Sequence, residues 1–177
     1  RDVMRSSTAG LGHVIAAAVD AGARSLLIGL GGSASNDMGL GTLVALGARC
    51  LDERGSEVEP VPAEFSRIRS IEVEPACRRL EGMSTTVAGD VTNPLTGPHG
   101  AAAVFGPQKG LAGPAITWVD GEMTRLAAVL GLSHWASHPG TGAAGGTAFA
   151  LAAVLGAKLT TGIDHLTGVV GLRERLE

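Results

Sequence analysis

The chain has 177 residues, of which 27 are glycine and 45% are hydrophobic, and its formal net charge is −3. This length and composition predict one folded globular domain over residues 1–177 and exclude a disordered or collagen-like chain. The basic residues are scattered along the sequence. We therefore expect no basic surface for nucleic acid or for an anionic membrane.

One long stretch, residues 126–157, contains no Asp, Glu, Lys or Arg and exceeds the roughly 20 residues of a membrane-spanning helix. Pro139 and the glycine cluster at residues 140–146 interrupt it, so it predicts two helices joined by a loop and not a membrane span. The N-terminal residues show no secretory pattern, and Cys50 and Cys77 are too few for a disulfide framework. We therefore expect reduced core thiols in a cytoplasmic protein.

The hydrophobic pattern alternates between helical and extended segments. In chain order it predicts a helix over residues 11–19, a strand over 25–30, a helix over 39–46, strands over 48–51 and 68–73, a short helix over 75–81, a strand over 85–88, helices over 113–130 and 146–155, a strand over 157–160 and a final amphipathic piece over 167–176. The continuous apolar run of residues 25–30 is typical of a strand buried on both faces. Residues 101–105 fit either a strand or a helix, and residues 106–110 predict a turn. Together these segments predict an α/β fold with helices packed on a mixed sheet.

The first of three glycine-rich loops follows the first predicted strand. The backbone N–H groups of such a turn, between a strand and a helix, can converge on an anion. Gly31 and Gly32 form the turn, Ser33 and Asn36 add side-chain donors, and Asp37 is placed to position a cation or a hydroxyl. The same pattern also fits a tight turn capped by Ser and Asn, and it lacks the lysine of a P-loop.

The second loop begins at Asp90, directly after the strand predicted over residues 85–88. Open sheets bind ligands at the carboxyl ends of their strands, so Asp90 is a candidate to orient or deprotonate a substrate hydroxyl, or to hold a metal-bound water. An Asx turn that stabilises the bend at Asn93 and Pro94 is the structural alternative. Lys109, one of two lysines, is either a phosphate contact or a solvated surface lysine.

The third loop, residues 140–146, leads into the helix predicted over residues 146–155. Its glycines, among them Gly142, fit either the approach of a ligand or close packing of the helix against the sheet. The histidines share no metal-ligand spacing, so no zinc site is predicted. Cys50 and Cys77 are interpreted as core thiols because no Cys–His–Asn order accompanies them.

Four segments of these loops share a fixed order along the chain. They read GLGGSASND at residues 29–37, DVTNPLTGP at 90–98, GPQKG at 106–110 and GAAGG at 142–146. In sequence and order they resemble the signature segments of the bacterial ATP-dependent glycerate kinases, and they spread over nearly the whole chain. Met38 stands where that family usually has Gly, which makes the first loop bulkier there.

The resemblance implies transfer of the γ-phosphoryl group of ATP to a hydroxyl of D-glycerate, with 2-phosphoglycerate as the favoured product and Mg²⁺ neutralising phosphate charge. From the chemistry of the matched residues we expect Asp90 to serve the substrate hydroxyl or the metal and Lys109 to serve phosphate or carboxylate, while the resemblance leaves open which loop contacts ATP and which contacts glycerate. The residues expected to bind substrate or phosphate are Gly31, Gly32, Ser33, Asn36, Asp37, Asn93, Gln108 and Gly142.

Two segments that the family usually carries are absent from this sequence. Family members usually begin with a strand leading into Asp-Ser-Phe-Lys-Gly, end with a strand leading into Thr-Gly-Glu-Gly, and are about twice as long as this chain. The resemblance therefore implies the inserted central domain of a two-domain kinase, without the flanking Rossmann-like domain. We expect negligible kinase activity from the chain alone, because half of an interdomain cleft does not enclose phosphoryl transfer.

Two other functions remain open at this point. One is a module that binds an organic acid or phosphate through the loop at Ser33 without catalysis. Alternatively, its alanine-rich helices have small side chains that permit close packing with a partner, which fits a structural domain or a homodimer.

Overall fold

A computed structural model describes residues 2–162 of the chain. Its helices are α1 (Ala9–Asp20), α2 (Leu40–Ala45), α3 (Glu74–Arg79), α4 (Gly106–Lys109), α5 (Pro114–Val129) and α6 (Ala143–Phe149). Its strands are β1 (Ser25–Gly29), β2 (Arg49–Leu51), β3 (Ser70–Glu72), β4 (Ser84–Ala88) and β5 (Lys158–Thr160). The amphipathic piece predicted over residues 167–176 lies outside the described residues.

The strands form two separate sheets. Strands β1, β4 and β5 form a parallel sheet in the order β1-β4-β5, in which Ile28 pairs with Val87 and Val87 with Leu159. Strands β2 and β3 pair antiparallel in a second sheet. The predicted α/β class is confirmed, and the parallel arrangement brings the carboxyl ends of three strands to one edge.

The prediction that the first strand is buried on both faces is wrong for the described residues. Ile28 is buried, but its neighbour Leu27 on the opposite face is 56% exposed. Leu27 shares that face with its partner Thr86 on β4 and with Lys158, which pairs with Thr86 on β5. Within residues 2–162 nothing packs on this face closely enough to bury Leu27.

Helices α1 and α2 cross in close contact and position the first loop. A Cβ atom on Gly12 would lie only 2.6 Å from the Cβ of Ala45, so the glycine allows the two helices to approach. The largest fully buried side chains of the core include Phe65, Phe149, Met38, Leu40, Leu43, Met123 and Leu126. This core holds α2, and with it the loop that precedes α2, in a fixed place.

The turn predicted over residues 106–110 is wrong, because these residues continue a helix. Ala101–Phe105 forms a wide, π-type helical segment that runs directly into α4. Pro107 lies in the first turn of α4, and Gly110 ends the helix with a φ of 105°. Lys109 is therefore the last residue of a helix and not part of a loose turn.

The helix predicted over residues 146–155 is confirmed. Ala144, Gly145 and Gly146 have positive φ values, so regular helical backbone begins after Gly146 and continues through the π-type segment Ala150–Val154. In the described part of the chain, no helix combines the length and the apolar composition needed to cross a membrane.

Candidate functional site

The three glycine-rich loops meet at the carboxyl edge of the parallel sheet. Two of the cavities there adjoin each other, a smaller one of about 150 Å³ and a larger one of about 240 Å³, and both are lined by Leu30, Val91 and Ala143. Leu30 follows β1 and Val91 follows β4, whereas Ala143 begins α6. The site thus lies where open parallel sheets place their ligands.

The smaller cavity brings together five of the residues predicted from the sequence: Gly31, Gly32, Ser33, Gln108 and Lys109. A Cβ atom at Gly31 or Gly32 would meet nothing within 4 Å, so the backbone of this turn faces open space. Gly32 also has a φ of 58°, which glycine adopts without strain. This geometry favours the interpretation of the turn as a binding surface.

Among the described residues that line this cavity, Lys109 is the one that carries a cationic group. Its Nζ donates to Ser33 Oγ at 2.8 Å and to the Ser35 carbonyl oxygen at 2.7 Å. Burial lowers the pKa of Lys109 to about 8, although the charge of Asp37 opposes this shift. Among residues 2–162 no carboxylate lies within salt-bridge distance of Lys109, so its charge is available to an anion.

The backbone of the first loop offers further donors. Among the described residues, none of the N–H groups of residues 31–35 donates a hydrogen bond to a protein acceptor. Successive free N–H groups in a tight turn form a concave surface that attracts anions. Of these residues Gly31, Gly32 and Ser33 line the smaller cavity together with Lys109, so the cavity offers an anion both N–H donors and a positive charge, although the chain as a whole carries a net charge of −3.

Asp37 lies outside both cavities and is held by hydrogen bonds. Its Oδ2 accepts from Thr8 N at 2.7 Å, Thr8 Oγ1 at 2.8 Å and Gly41 N at 3.2 Å, and its Oδ1 accepts from Gly39 N at 3.1 Å. Burial raises the pKa of Asp37, and these hydrogen bonds oppose the shift. The structure therefore gives Asp37 the position of a cap that joins the start of α2 to Thr8.

Asn36 is fully buried, and its side-chain amide has no partner. Neither Asn36 Oδ1 nor Asn36 Nδ2 makes a hydrogen bond within the described part of the chain. The side chain packs against Gly145, where a Cβ atom would lie 3.0 Å from Asn36 Oδ1. A buried amide without partners costs free energy, on the order of 1–3 kcal/mol for each orphaned group.

Asn93 and Gly142 fasten the second loop to the third. Asn93 Nδ2 donates to the His99 carbonyl oxygen at 2.9 Å, and Gly142 N donates to the Asn93 carbonyl oxygen at 2.9 Å. A Cβ atom on Gly142 would overlap the carbonyl oxygen of Pro94. Neither residue lines the two cavities, so the geometry at Gly142 favours close packing of the loops.

Asp90 lies at the same edge of the sheet and is exposed. Its Oδ1 accepts from Gly162 N at 2.9 Å, and among residues 2–162 its Oδ2 receives no hydrogen bond. The described residues contain no group of three His, Cys, Asp or Glu side chains that could hold a metal ion. A magnesium ion at Asp90 would therefore need phosphate oxygens and water as its other ligands, which is how Mg²⁺ commonly binds at phosphoryl-transfer sites.

The sequence reasoning missed the larger cavity. Its lining includes Val87, His138, Pro139 and Leu159, and it is mostly apolar. Only one signal pointed to it, the position of several of its residues at or just after the ends of the parallel strands. Thr161, which directly follows β5, also borders this cavity.

Two residues other than glycine have left-handed backbone conformations at the contact between the first and third loops. Met38 has a φ of 57° and Ala144 a φ of 52°. Met38 N donates to the Gly145 carbonyl oxygen at 3.0 Å, and the Met38 side chain is fully buried. The left-handed backbone at position 38 explains why a glycine fits there. With methionine at this position the backbone is strained, and the strain lies next to the site.

Comparisons with known proteins agree on one family. The model of the glycerate kinase family matches residues 1–177. A glycerate kinase of Bacillus subtilis is 45% identical over 168 residues, which cover 93% of this chain and 44% of that protein. A glycerate 2-kinase of Escherichia coli is 38% identical over 182 residues, which cover 99% of this chain and 47% of that protein.

A solved structure supports the same assignment. The crystal structure of a protein described as a glycerate kinase 2 from Salmonella typhimurium matches with a TM-score of 0.91 and 41% sequence identity. The match covers 97% of this chain and 47% of that one. The chain therefore spans about half the length of the relatives it matches.

Proposed function

The chain belongs to the glycerate kinase family, and on that premise we propose that it forms part of an enzyme that transfers the γ-phosphoryl group of ATP to D-glycerate. The proposed product is 2-phosphoglycerate. The observation that carries the proposal is the half-buried ammonium of Lys109, without a carboxylate partner among the described residues, in a cavity walled by glycine backbone.

The chemistry of the smaller cavity suits phosphoryl transfer, which depends mainly on positioning and on charge stabilisation. Lys109 would contact a phosphate or the glycerate carboxylate, and the free N–H groups of residues 31–35 would bind the remaining anionic oxygens. Ser33 and Gln108, which line the same cavity, would orient the glycerate hydroxyls. Asn36 and Asp37 would act indirectly, by fixing the shape of the loop.

Asp90 is the proposed acceptor of the proton that leaves the glycerate hydroxyl, or a ligand of Mg²⁺. One of its oxygens is held by Gly162 N, which leaves the other for a proton or a metal ion. Magnesium, when bound, neutralises charge on the phosphate oxygens. Asn93 and Gly142 would hold the second and third loops together around these groups.

We place the chain as the central domain of a two-domain kinase, in line with its coverage of about half of each relative. The cavities are open at the carboxyl edge of the sheet, and a second domain would close over them and exclude water. On this proposal the chain alone binds anionic ligands but does not turn over.

A test uses the two lysines of the chain. We expect calorimetric titration to show binding of pyrophosphate to the unmodified chain, and Lys109→Met to weaken it by about 100-fold because a charged hydrogen-bond donor is lost. Lys158→Met is the matched control, since Lys158 is exposed on β5, and it should bind as the unmodified chain does. Equal affinity in all three proteins would contradict the proposal.

An activity measurement distinguishes the proposed kinase from a binding module without catalysis. The chain is joined to the flanking segments of the Bacillus subtilis relative, and formation of ADP from ATP and D-glycerate is followed. Turnover that is lost in Asp90→Asn supports the kinase, and phosphorus NMR of the product identifies the acceptor hydroxyl. Glycerate binding without any ADP formation in the joined protein would favour the module.

A further inference from the structure

Anion binding accounts for the smaller cavity but not for the larger one. The larger cavity has a volume of about 240 Å³ and lies at the carboxyl ends of the three parallel strands. Leu30, Val87 and Leu159 supply apolar walls from the three strands or the residues just after them. No residue predicted to bind substrate or phosphate lines it.

We propose that this cavity binds the nucleobase of the phosphoryl donor, while the phosphates of the same molecule extend into the smaller cavity beside Lys109. The inference rests on the proposed function, which supplies a nucleotide as one of two substrates. The base then contacts Leu30, Val87, His138 and Leu159, and the phosphates bind to the turn of residues 31–35.

The apolar lining favours binding of the nucleobase over binding of glycerate. Glycerate carries a carboxylate and two hydroxyls on three carbon atoms, so it has no apolar face to offer. In an apolar cavity it would lose its hydration without gaining partners, which is unfavourable. A nucleobase has two flat apolar faces and a polar edge, and the hydroxyl-bearing residues Thr92 and Thr160 in the lining offer contacts for that edge.

One wall of the cavity carries an aromatic side chain. His138 lines the cavity, and its ring stacks on Trp135 with a centroid distance of 4.7 Å and an interplanar angle of 31°. His138 Nδ1 also lies 3.0 Å from the Pro139 carbonyl oxygen, which helps to fix the ring. Aromatic side chains, histidine included, are common platforms on which nucleic-acid bases stack.

The two cavities adjoin in the order that a nucleotide requires. They share Leu30, Val91 and Ala143, so one molecule can occupy both. The apolar cavity then takes the base, and the cavity with the Lys109 ammonium takes the negative charge. Their volumes together lie within the range for small-molecule sites, roughly 300–1,000 Å³, near its lower end.

The test compares ADP with pyrophosphate, which lacks the base, by calorimetric titration of the 177-residue chain. Thr92→Trp adds a ring at an exposed residue of the cavity lining, and Ala148→Leu fills the cavity from a buried position. We expect both variants to bind ADP about tenfold more weakly or worse and to bind pyrophosphate unchanged. Thr124→Trp on the exposed side of α5 is the control and should bind both ligands as the unmodified chain does.

The outcomes distinguish this inference from the proposed function. Unchanged ADP affinity in Thr92→Trp, or an equal loss of affinity for both ligands, would overturn the assignment of the base while pyrophosphate binding through Lys109 still stood. Thr92→Trp decides if Ala148→Leu fails to fold, because Thr92 is exposed. An unmodified chain that binds neither ADP nor pyrophosphate would contradict both proposals.

Discussion

Burial, and not an ion pair, sets the pKa of Lys109. Its ammonium group donates to a neutral hydroxyl and a neutral carbonyl, so none of its contacts within residues 2–162 compensates the charge. Desolvation therefore lowers the pKa to about 8, well below the ordinary value of 10.5. An anion that enters the cavity supplies the missing charge and favours the protonated form.

This pKa predicts how anion binding depends on pH. Sulfate stays fully ionised between pH 7 and pH 9, so a change in its affinity reports on the protein. As pH rises through about 8 the ammonium loses its proton, and we expect sulfate affinity, measured by calorimetry, to fall about tenfold from pH 7 to pH 9. Lys109→Arg keeps its charge throughout and should show little change. A sulfate affinity of the unmodified chain that does not change between pH 7 and pH 9 would contradict the lowered pKa of Lys109.

The unpartnered amide of Asn36 leads to a prediction on stability. Asn36→Leu replaces two orphaned polar atoms by apolar atoms of similar shape, so the free energy of unfolding should be unchanged or up to about 2 kcal/mol higher. Asn93→Leu is the matched variant, because it removes a hydrogen bond to His99, and it should lower the free energy of unfolding by about 1 kcal/mol.

Urea denaturation of the two asparagine variants measures this difference, and pyrophosphate titration follows function in parallel. If Asn36→Leu is stable but binds pyrophosphate less tightly, the amide of Asn36 favours ligand binding by the loop and lowers the stability of the ligand-free chain. If Asn36→Leu is instead less stable than Asn93→Leu, the amide of Asn36 stabilises the ligand-free chain, and the prediction is wrong.

At the scale of elements, the first and third loops depend on one another. Gly145 has a φ of 69°, and a Cβ atom there would overlap the Ser35 carbonyl oxygen, which accepts a hydrogen bond from Lys109. Gly145 thus lets the first loop approach the third, and the first loop in turn orients the lysine of α4.

A substitution at this contact tests the dependence. We expect Gly145→Ala to lower the free energy of unfolding by about 2–4 kcal/mol, since it forces strain and displaces Ser35. It should also weaken pyrophosphate binding. Gly121→Ala within α5, where a Cβ atom meets nothing within 4 Å, should instead stabilise the chain by about 0.5–1 kcal/mol. Urea denaturation measures both, and equal effects would contradict the contact.

At the scale of the whole molecule, one face of the parallel sheet is open among residues 2–162. Parallel sheets are normally covered on both faces. The open face carries Leu27, 56% exposed, beside Thr86 and Lys158. The chain spans about half of each relative, and on the proposal that it is one domain of a two-domain kinase, an element of the other domain would cover this face.

The open face predicts weak self-association of the 177-residue chain at high concentration. In sedimentation experiments Leu27→Lys should remain monomeric with an unchanged unfolding midpoint. Val129→Lys, at a residue of α5 that is 37% exposed, should associate as the unmodified chain does. A strictly monomeric unmodified chain would contradict this prediction, and with it the homodimer expected from the alanine-rich helices.

The sequence by itself determined most elements and the three loops, because their signals act over a few residues. Hydrophobic periodicity located α1 and α5, and glycine marked the loops at the ends of β1 and β4. At Gly106–Lys109 the sequence predicts a turn and the structure has a helix, because glycine and proline are common both in turns and at helix starts. The loop motifs identified the family, which the comparisons confirm.

Only the tertiary structure decided which of these residues share a site. Lys109 and Ser33 are 76 residues apart in sequence and 2.8 Å apart in the fold, and Asp37 is paired with Thr8 instead of facing a cavity. Burial, an orphaned amide and an apolar cavity arise from contacts between distant segments. Local propensity does not encode such contacts, so the charge state of Lys109 and the place for a base follow from packing alone.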